Sequence, residues 1–369
     1  MRPVRRLGVR TFSCICGQTL FFENTRCVHC NRLVGWSEVD RAVVGVDGDP
    51  EDLAGDFIDP QGRPLRCCAN RVNFSVCNRL LDAETTRSGD LCLACGMNRT
   101  VPDQSIEGNR ERWAKLEAAK RRMLYDLSLI GWPMDTLNPD QGSAAPLRFE
   151  FKADAIPDDG RWVPMDDGQP VYTGHADGVI TINLKEADDL ERERMRLNLG
   201  EPQRSLVGHF RHEVGHYYWD LLFRSDPGAK QRFIDTFGDP DHPSYSEAMD
   251  RHYQQGPPRD WRNRFVSAYA TMHPWEDWAE TWSLFLDIFG TMDTLSAHGL
   301  ERWPADAADA GFDRLVEAYT TVAVALNELS RNRGMTALHP ESVAAPVLEK
   351  LALVRREVRQ REASTAATG

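Results

Sequence analysis

All nine cysteines of this 369-residue chain fall within its first 95 residues, so cysteine chemistry must decide how the N-terminal quarter folds. Cys14 and Cys16 precede Cys27 and Cys30, and Cys67, Cys68, Cys77, Cys92 and Cys95 follow. Disulfide scaffolds spread their cysteines through small secreted domains, whereas closely spaced pairs in a chain without a secretion signal favour zinc. CICG followed by CVHC predicts one four-thiolate site from Cys14, Cys16, Cys27 and Cys30. A second is expected from Cys68, Cys77, Cys92 and Cys95, with either Cys67 or Cys68 left over and Cys68 preferred as ligand. Segments such as GQTLFF and NRLVGW are too short to bury much surface, so two closed zinc sites would supply the missing folding energy. Residues 1–102 are thus expected to form tandem zinc ribbons.

The opening MRPVRRLGVRTFS is basic but has no apolar core behind it, and no stretch approaches the ~18–20 apolar residues needed to cross a bilayer. A cytoplasmic protein without membrane association is expected. Residues 1–100 hold 13 Lys and Arg against 12 Asp and Glu, so the net charge of -12 comes entirely from the residues beyond them. A near-neutral ribbon region and an acidic remainder argue against nucleic acid as a partner and leave the ribbons as candidates for binding a protein.

Beyond the cysteines, NRERWAKLEAAKRRMLYDLSLIGWP reads as a helix with Trp113, Leu116, Met123, Leu124, Leu127 and Ile130 in one stripe. Its basic residues read as a solvated face, and residues 103–140 as a linking helix and loop ending at TLNPDQGSAAP. Strand-like segments follow at 147–153, 161–165, 170–174 and 178–184. KEADDLERERMRL reads as a polar helical stretch, and later patterns are helical up to a disordered tail at 361–369. Strands first and helices after give an α+β domain over 141–360 with a small mixed sheet and a mostly helical C-terminal part.

The chemistry centres on LVGHFRHEVGHYYWDLL, residues 206–222. Leu206, Phe210, Val214, Tyr217 and Leu221 have the spacing of a buried helix face. His212 and His216, one turn apart, can then bind a metal while Glu213 serves as base for a water on it. A pair of core histidines bonded to carbonyls is the bland alternative. A catalytic zinc needs a third protein ligand, and Trp219 and Leu222 stand where HExxHxxGxxH would place a glycine and a third histidine. The alternative lies in HPWEDWAETWSLFLDIFG, 273–290, whose aromatic residues imply burial. Glu276 and Glu280 share a line there, one turn apart. Glu276 is assigned as third ligand and Glu280 as the partner orienting a histidine, with Asp277 and His273 as weaker ligand options.

CGQTLFFENTRC with the CVHC that ends it, GHFRHEVGHYYWD and SAYATMHPWEDWAETW together resemble the bacterial family of zinc-binding metallopeptidases with N-terminal zinc ribbons, over residues 12 to 355. The resemblance implies a zincin-like peptidase of gluzincin character and leaves the substrate open. A second, local similarity is to zincins of the anthrax lethal factor type, which carry a tyrosine seven residues before the glutamate ligand. Tyr269 stands seven before Glu276. This similarity favours Glu276 over Glu280 as ligand and implies Tyr269 as the phenol facing the reacting carbonyl.

The expected activity is zinc-dependent hydrolysis of a peptide or protein substrate, with one catalytic and two structural zinc ions. By position, Val179 to Leu184 is the expected edge strand for an extended substrate, and His175 reads as a turn histidine that could line the cleft. The rival reading is a non-catalytic ribbon adaptor with a peptide-binding domain, which needs the histidines more than it needs Glu213.

Overall fold

The structure, a computed structural model, describes residues 11–131, 146–154, 171–192, 194, 205–300 and 311–368. The expected strand at 161–165 and most of the TLNPDQGSAAP loop lie outside these residues.

The two cysteine groups are fused rather than strung in tandem. β1 (Thr11–Ser13) and β2 (Thr19–Phe21) form a hairpin around Cys14 and Cys16, followed by β3 (Leu33–Ser37), β4 (Ala42–Val46), β5 (Asp56–Ile58), β6 (Pro64–Cys67), α1 (Ala69–Phe74) and β7 (Arg79–Asp82). β3 to β7 build one five-stranded sheet in the order β4-β3-β7-β6-β5, with β3 and β7 parallel. From α1, Arg71 reaches the carbonyls of Thr25 at 3.0 Å and Val34 at 2.9 Å, satisfying backbone oxygens of the first group from the second.

A short helix α2 (Leu93–Gly96) carries Cys95 into β8 (Asn98–Thr100). β8 then leaves the cysteine region and pairs in parallel with β9 (Arg148–Lys152). β10 (Gly174–Ala176) and β11 (Val179–Asn183) complete a mixed sheet of order β10-β11-β9-β8. β10 and β8 are therefore the edge strands, and the Val179–Leu184 expectation is corrected: β11 is interior, paired antiparallel with β10 and parallel with β9. Asp177 and Gly178, with φ of 47° and 82°, make the two-residue turn that folds β10 back onto β11. Leu184–Ala187 is a 3₁₀ turn, and the expected polar helical stretch continues as helix at 189–192 and 194, its remaining positions lying outside the described residues.

Helix α3 (Asn109–Leu129) is no mere linker. Its predicted stripe is buried in the same apolar cluster as Cys68, Cys77, Cys92 and Cys95, Phe149 and Phe151 of β9, and Phe210, Trp278 and Trp282 of the helices that follow. The solvated-face reading of its basic residues fails for Lys120 and Arg121, which are buried. Lys120 Nζ bonds Glu117 at 2.9 Å and Asn98 of β8, and Arg121 donates to the Val76 carbonyl at 2.9 Å. These bonds fasten α3 to the sheet and to the second cysteine group. The first group has its own small core of Cys14, Leu20, Phe22, Cys27, Val34, Trp36 and Val43, joined to α3 through Tyr125.

α4 (Leu206–Phe223), α5 (Pro227–Phe237), α6 (Tyr245–Gln255), α7 (Pro274–Ala297), α8 (Phe312–Arg331) and α9 (Ala345–Thr368) make up the helical part. The helix α9 runs through the segment expected to be a disordered tail from 361 as far as Thr368, where Ala is the commonest residue and no Gly or Pro intervenes before Gly369. No helix among the described residues is long and apolar enough to cross a membrane.

Candidate metal centre

Ser205 caps α4, its hydroxyl accepting from the Gly208 N–H at 3.0 Å. The helix buries Phe210, Val214, Tyr217 and Tyr218 against the sheet and α7, which fixes the face carrying His212 and His216. Gly215, between them, sets how closely α7 can approach. A Cβ there would lie 3.1 Å from Ala279 Cα and 3.2 Å from Trp282 Cβ. Trp278 adds a bond from its indole N–H to the Gly215 carbonyl at 2.9 Å. The glycine of HEVGH thus seats the glutamate-bearing helix against the two histidines.

Glu276 lies in the first turn of α7, which starts at Pro274 with His273 as cap. Its Oε2 is 3.0 Å from His212 Nε2 and 3.5 Å from His216 Nε2. Zinc bonds of ~2.0–2.1 Å in a tetrahedron put ligand atoms about 3.3 Å apart, so these residues fit the ion. All three side chains are buried, and one donor atom from each lies within 4.8 Å of the others. Glu276 Oε2 and Glu213 Oε2 are buried without a hydrogen-bond partner among the described residues, which leaves both oxygens as acceptors available to a cation or a water.

The surrounding charges favour a cation. Burial pushes the His212 imidazole down, but Glu276 and Glu280 on its two ring nitrogens outweigh it and raise its pKa well above the usual value. Burial likewise pushes Glu276 up, and His216 and His212 hold it well below the ordinary carboxylate range. Two carboxylates converging on an imidazole pair call for positive charge between them, which a divalent ion would supply.

Glu280 Oε1 stands 2.7 Å from His212 Nδ1, the orienting place assigned to it. The weaker ligand options are engaged elsewhere. Asp277 pairs with Lys350 at 2.6 Å, and burial pushes its carboxyl up to about 7 against the pull of that lysine. His273 accepts from the Trp275 N–H at 3.1 Å. His175, in β10, accepts from the Gly178 N–H at 3.1 Å, the place of a turn histidine. Burial pushes its imidazole down to about 4. Tyr269 begins a 3₁₀ turn with its ring 6.1 Å from that of His212.

Several neighbours escape the sequence reading. Tyr245 of α6 donates to Glu276 Oε1 at 2.9 Å and also meets the Tyr269 hydroxyl. The Trp275 ring lies 3.8 Å from that of His216. His209 Nε2 is 3.1 Å from Glu213 Oε1. His209 alone had a readable signal, since it precedes His212 by three in GHFRHEVGH and shares its face; Tyr245 sits in PSYSEAMD, which carries none.

The cysteines gather as two groups of four, Cys14, Cys16, Cys27 and Cys30, and Cys68, Cys77, Cys92 and Cys95. Sulfur pairs stand 3.6 to 3.8 Å apart, near the ~3.8 Å edge of a tetrahedron with 2.3 Å zinc–sulfur bonds and far from a disulfide. Cys67 packs instead with Leu33, Val46, Phe57, Leu65 and Leu80. Buried Arg79 and Arg121 adjoin the second group, where they would offset the charge of four thiolates on one zinc.

The family model described as "Putative zinc-binding metallo-peptidase" matches residues 109–357, and a zinc-ribbon domain model matches residues 11–106. Uncharacterized proteins of Mycobacterium bovis and Mycobacterium tuberculosis are 36% identical over 358 residues, covering 95% of this chain and 95% of each relative. No solved structure matches the chain at a significant level.

Proposed function

The chain belongs to the family of zinc-binding metallopeptidases, and on that premise we propose that it hydrolyses peptide bonds, with His212, His216 and Glu276 holding a catalytic zinc and Glu213 as general base. The observation that carries the reading is the convergence of His212 Nε2, His216 Nε2 and Glu276 Oε2, with a buried Glu213 oxygen left unpaired beside them. Two further zinc ions would occupy the thiolate groups.

A bound zinc supplies Lewis acidity, bringing the pKa of water towards neutrality and polarising a carbonyl. Glu213 takes the proton of the attacking water on Oε2 and delivers it to the leaving amine. The Tyr269 hydroxyl donates to the carbonyl oxygen as that atom gains charge. Burial pushes Glu213 up, but bonding to His209 and the imidazoles around it hold it below the ordinary carboxylate range, so it is a free base at neutral pH. The substrate is a peptide or protein in extended form, added to β10 as a further strand.

The test is incubation of the zinc-loaded protein with a cell lysate beside a Glu213→Gln control, reading new peptide termini by mass spectrometry. New termini with the parent alone are expected. Equal, empty lists for both would leave an adaptor that binds peptide without cutting it.

A further inference from the structure

We propose that His209 is a positioning residue that fixes one oxygen of Glu213 and so aims the other at the metal centre, and that Glu186 in turn holds the imidazole of His209. The inference rests on the reading of Glu213 as general base and extends it outward by two residues.

A glutamate on a helix has three side-chain torsions, the last of them broad. Being next in sequence to a ligand therefore does not orient its carboxylate. On α4 the fixing group comes from one turn earlier: residues four apart lie on one line of the helix, and His209 Nε2 stands 3.1 Å from Glu213 Oε1. The two carboxylate oxygens are thereby made unequal. Oε1 is paired, while Oε2 is buried with no hydrogen-bond partner among the described residues.

The imidazole is anchored from outside the helix. Its Nδ1 is 3.4 Å from Oε2 of Glu186, which lies buried in the 3₁₀ turn directly after β11. Thr173 donates to the other Glu186 oxygen at 3.4 Å and accepts from the Asn183 N–H at 3.1 Å. The chain of contacts thus runs from the segment leading into edge strand β10, through Glu186 and His209, to the base. A carboxylate oxygen thus stands near each ring nitrogen, Glu186 on the Nδ1 side and Glu213 on the Nε2 side. Neither nitrogen belongs to the His212, His216, Glu276 cluster, so His209 acts on Glu213 and not as a ligand.

The experiment uses full-length protein with cobalt in the His/His/Glu site and follows the visible spectrum during titration with acetohydroxamate. This probe binds a metal through two oxygens and hands its proton to an adjacent base, so its affinity reports whether the base is aimed at the metal without requiring turnover. Cobalt content is measured on each variant. His209→Leu and Glu186→Gln are expected to retain cobalt and to bind the probe at least tenfold more weakly. His209→Gln, whose amide N–H can stand near Nε2, should recover most of that loss, which a merely structural role would not allow. A crystal structure of His209→Leu should show Glu213 rotated or in two conformers. Parent-like binding by His209→Leu would overturn the clamp alone, and loss of cobalt from it would overturn the clamp by making His209 a support of the metal. Parent-like binding by Glu213→Gln would overturn the reading of Glu213 as base and the clamp with it.

Discussion

His212 is gripped at both ring nitrogens by glutamates of one helix, with Glu280 Oε1 2.7 Å from Nδ1 and Glu276 Oε2 3.0 Å from Nε2. Glu280 fixes the tautomer that leaves Nε2 free to bind a metal. Glu280→Ala should therefore leave the fold intact and lower zinc affinity by about 10- to 100-fold. Competition against a chromophoric chelator measures it, and unchanged affinity would take Glu280 out of the site.

The two phenols at the centre should separate by readout. Tyr245 bonds the ligand Glu276, so Tyr245→Phe should weaken zinc binding. If Tyr269 contributes only as charge develops, as proposed, Tyr269→Phe should keep zinc and substrate affinity while the turnover number falls by roughly 10- to 1,000-fold. Loss of metal from Tyr269→Phe would assign it to ligand support instead.

The cysteine groups should differ in what they hold up. Cys77 lies in the core shared with α3, the four-stranded sheet and α4, whereas the first group has a core of its own with Cys16 partly exposed. Cys77→Ser is expected to lose one zinc and lower the main thermal transition of the whole chain. Cys16→Ser should lose one zinc and leave that transition nearly in place. Calorimetry with metal analysis distinguishes the two, and equal effects would contradict the division.

Much of this arrangement was readable along the chain and some was not. The stripe from Trp113 to Ile130, the paired cysteines and the face carrying His212 and His216 are local periodicities, and each lies in the place that the periodicity indicates. Glu276 and Glu280 stand out along the chain because carboxylates among tryptophans need a cation, and the local resemblance, not the burial, favours Glu276 of the two as ligand. The order of the sheet was not readable, because pairing of β8 with β9 joins residues some fifty apart across a long helix. Asp177-Gly178 was a legible hairpin signal, and it marks β10 rather than β11 as the edge. Tyr245 reaches Glu276 from a separate helix 31 residues away, a relation of tertiary packing that no spacing encodes.

Arg211, next to His212, donates to Asp126 Oδ2 from Nε at 2.9 Å and from Nη2 at 2.8 Å, and to Asp287 Oδ1 at 2.7 Å. Arg211→Met would strand the buried Asp126 and should destabilise the fold by ~3–5 kcal/mol at neutral pH. Burial pushes Asp287 up, but Arg211 and then His339 outweigh it and depress its carboxyl. Stability from a depressed carboxyl is present above its unfolded pKa of about 4 and is lost as pH falls towards the folded value. The gap between parent and variant, read from urea unfolding, should therefore narrow below about pH 4. A gap that held constant down to pH 3 would contradict the assignment.

Metal counting tests the central claim most directly. Reduced, zinc-saturated protein freed of excess metal should carry three zinc ions per chain, and Glu276→Ala should carry two with both thiolate sites still filled, as X-ray absorption at the zinc edge would report by loss of the nitrogen and oxygen ligand signal. A parent protein with only thiolate-bound zinc, or a Glu276→Ala variant that keeps its third ion as tightly as the parent, would contradict the account.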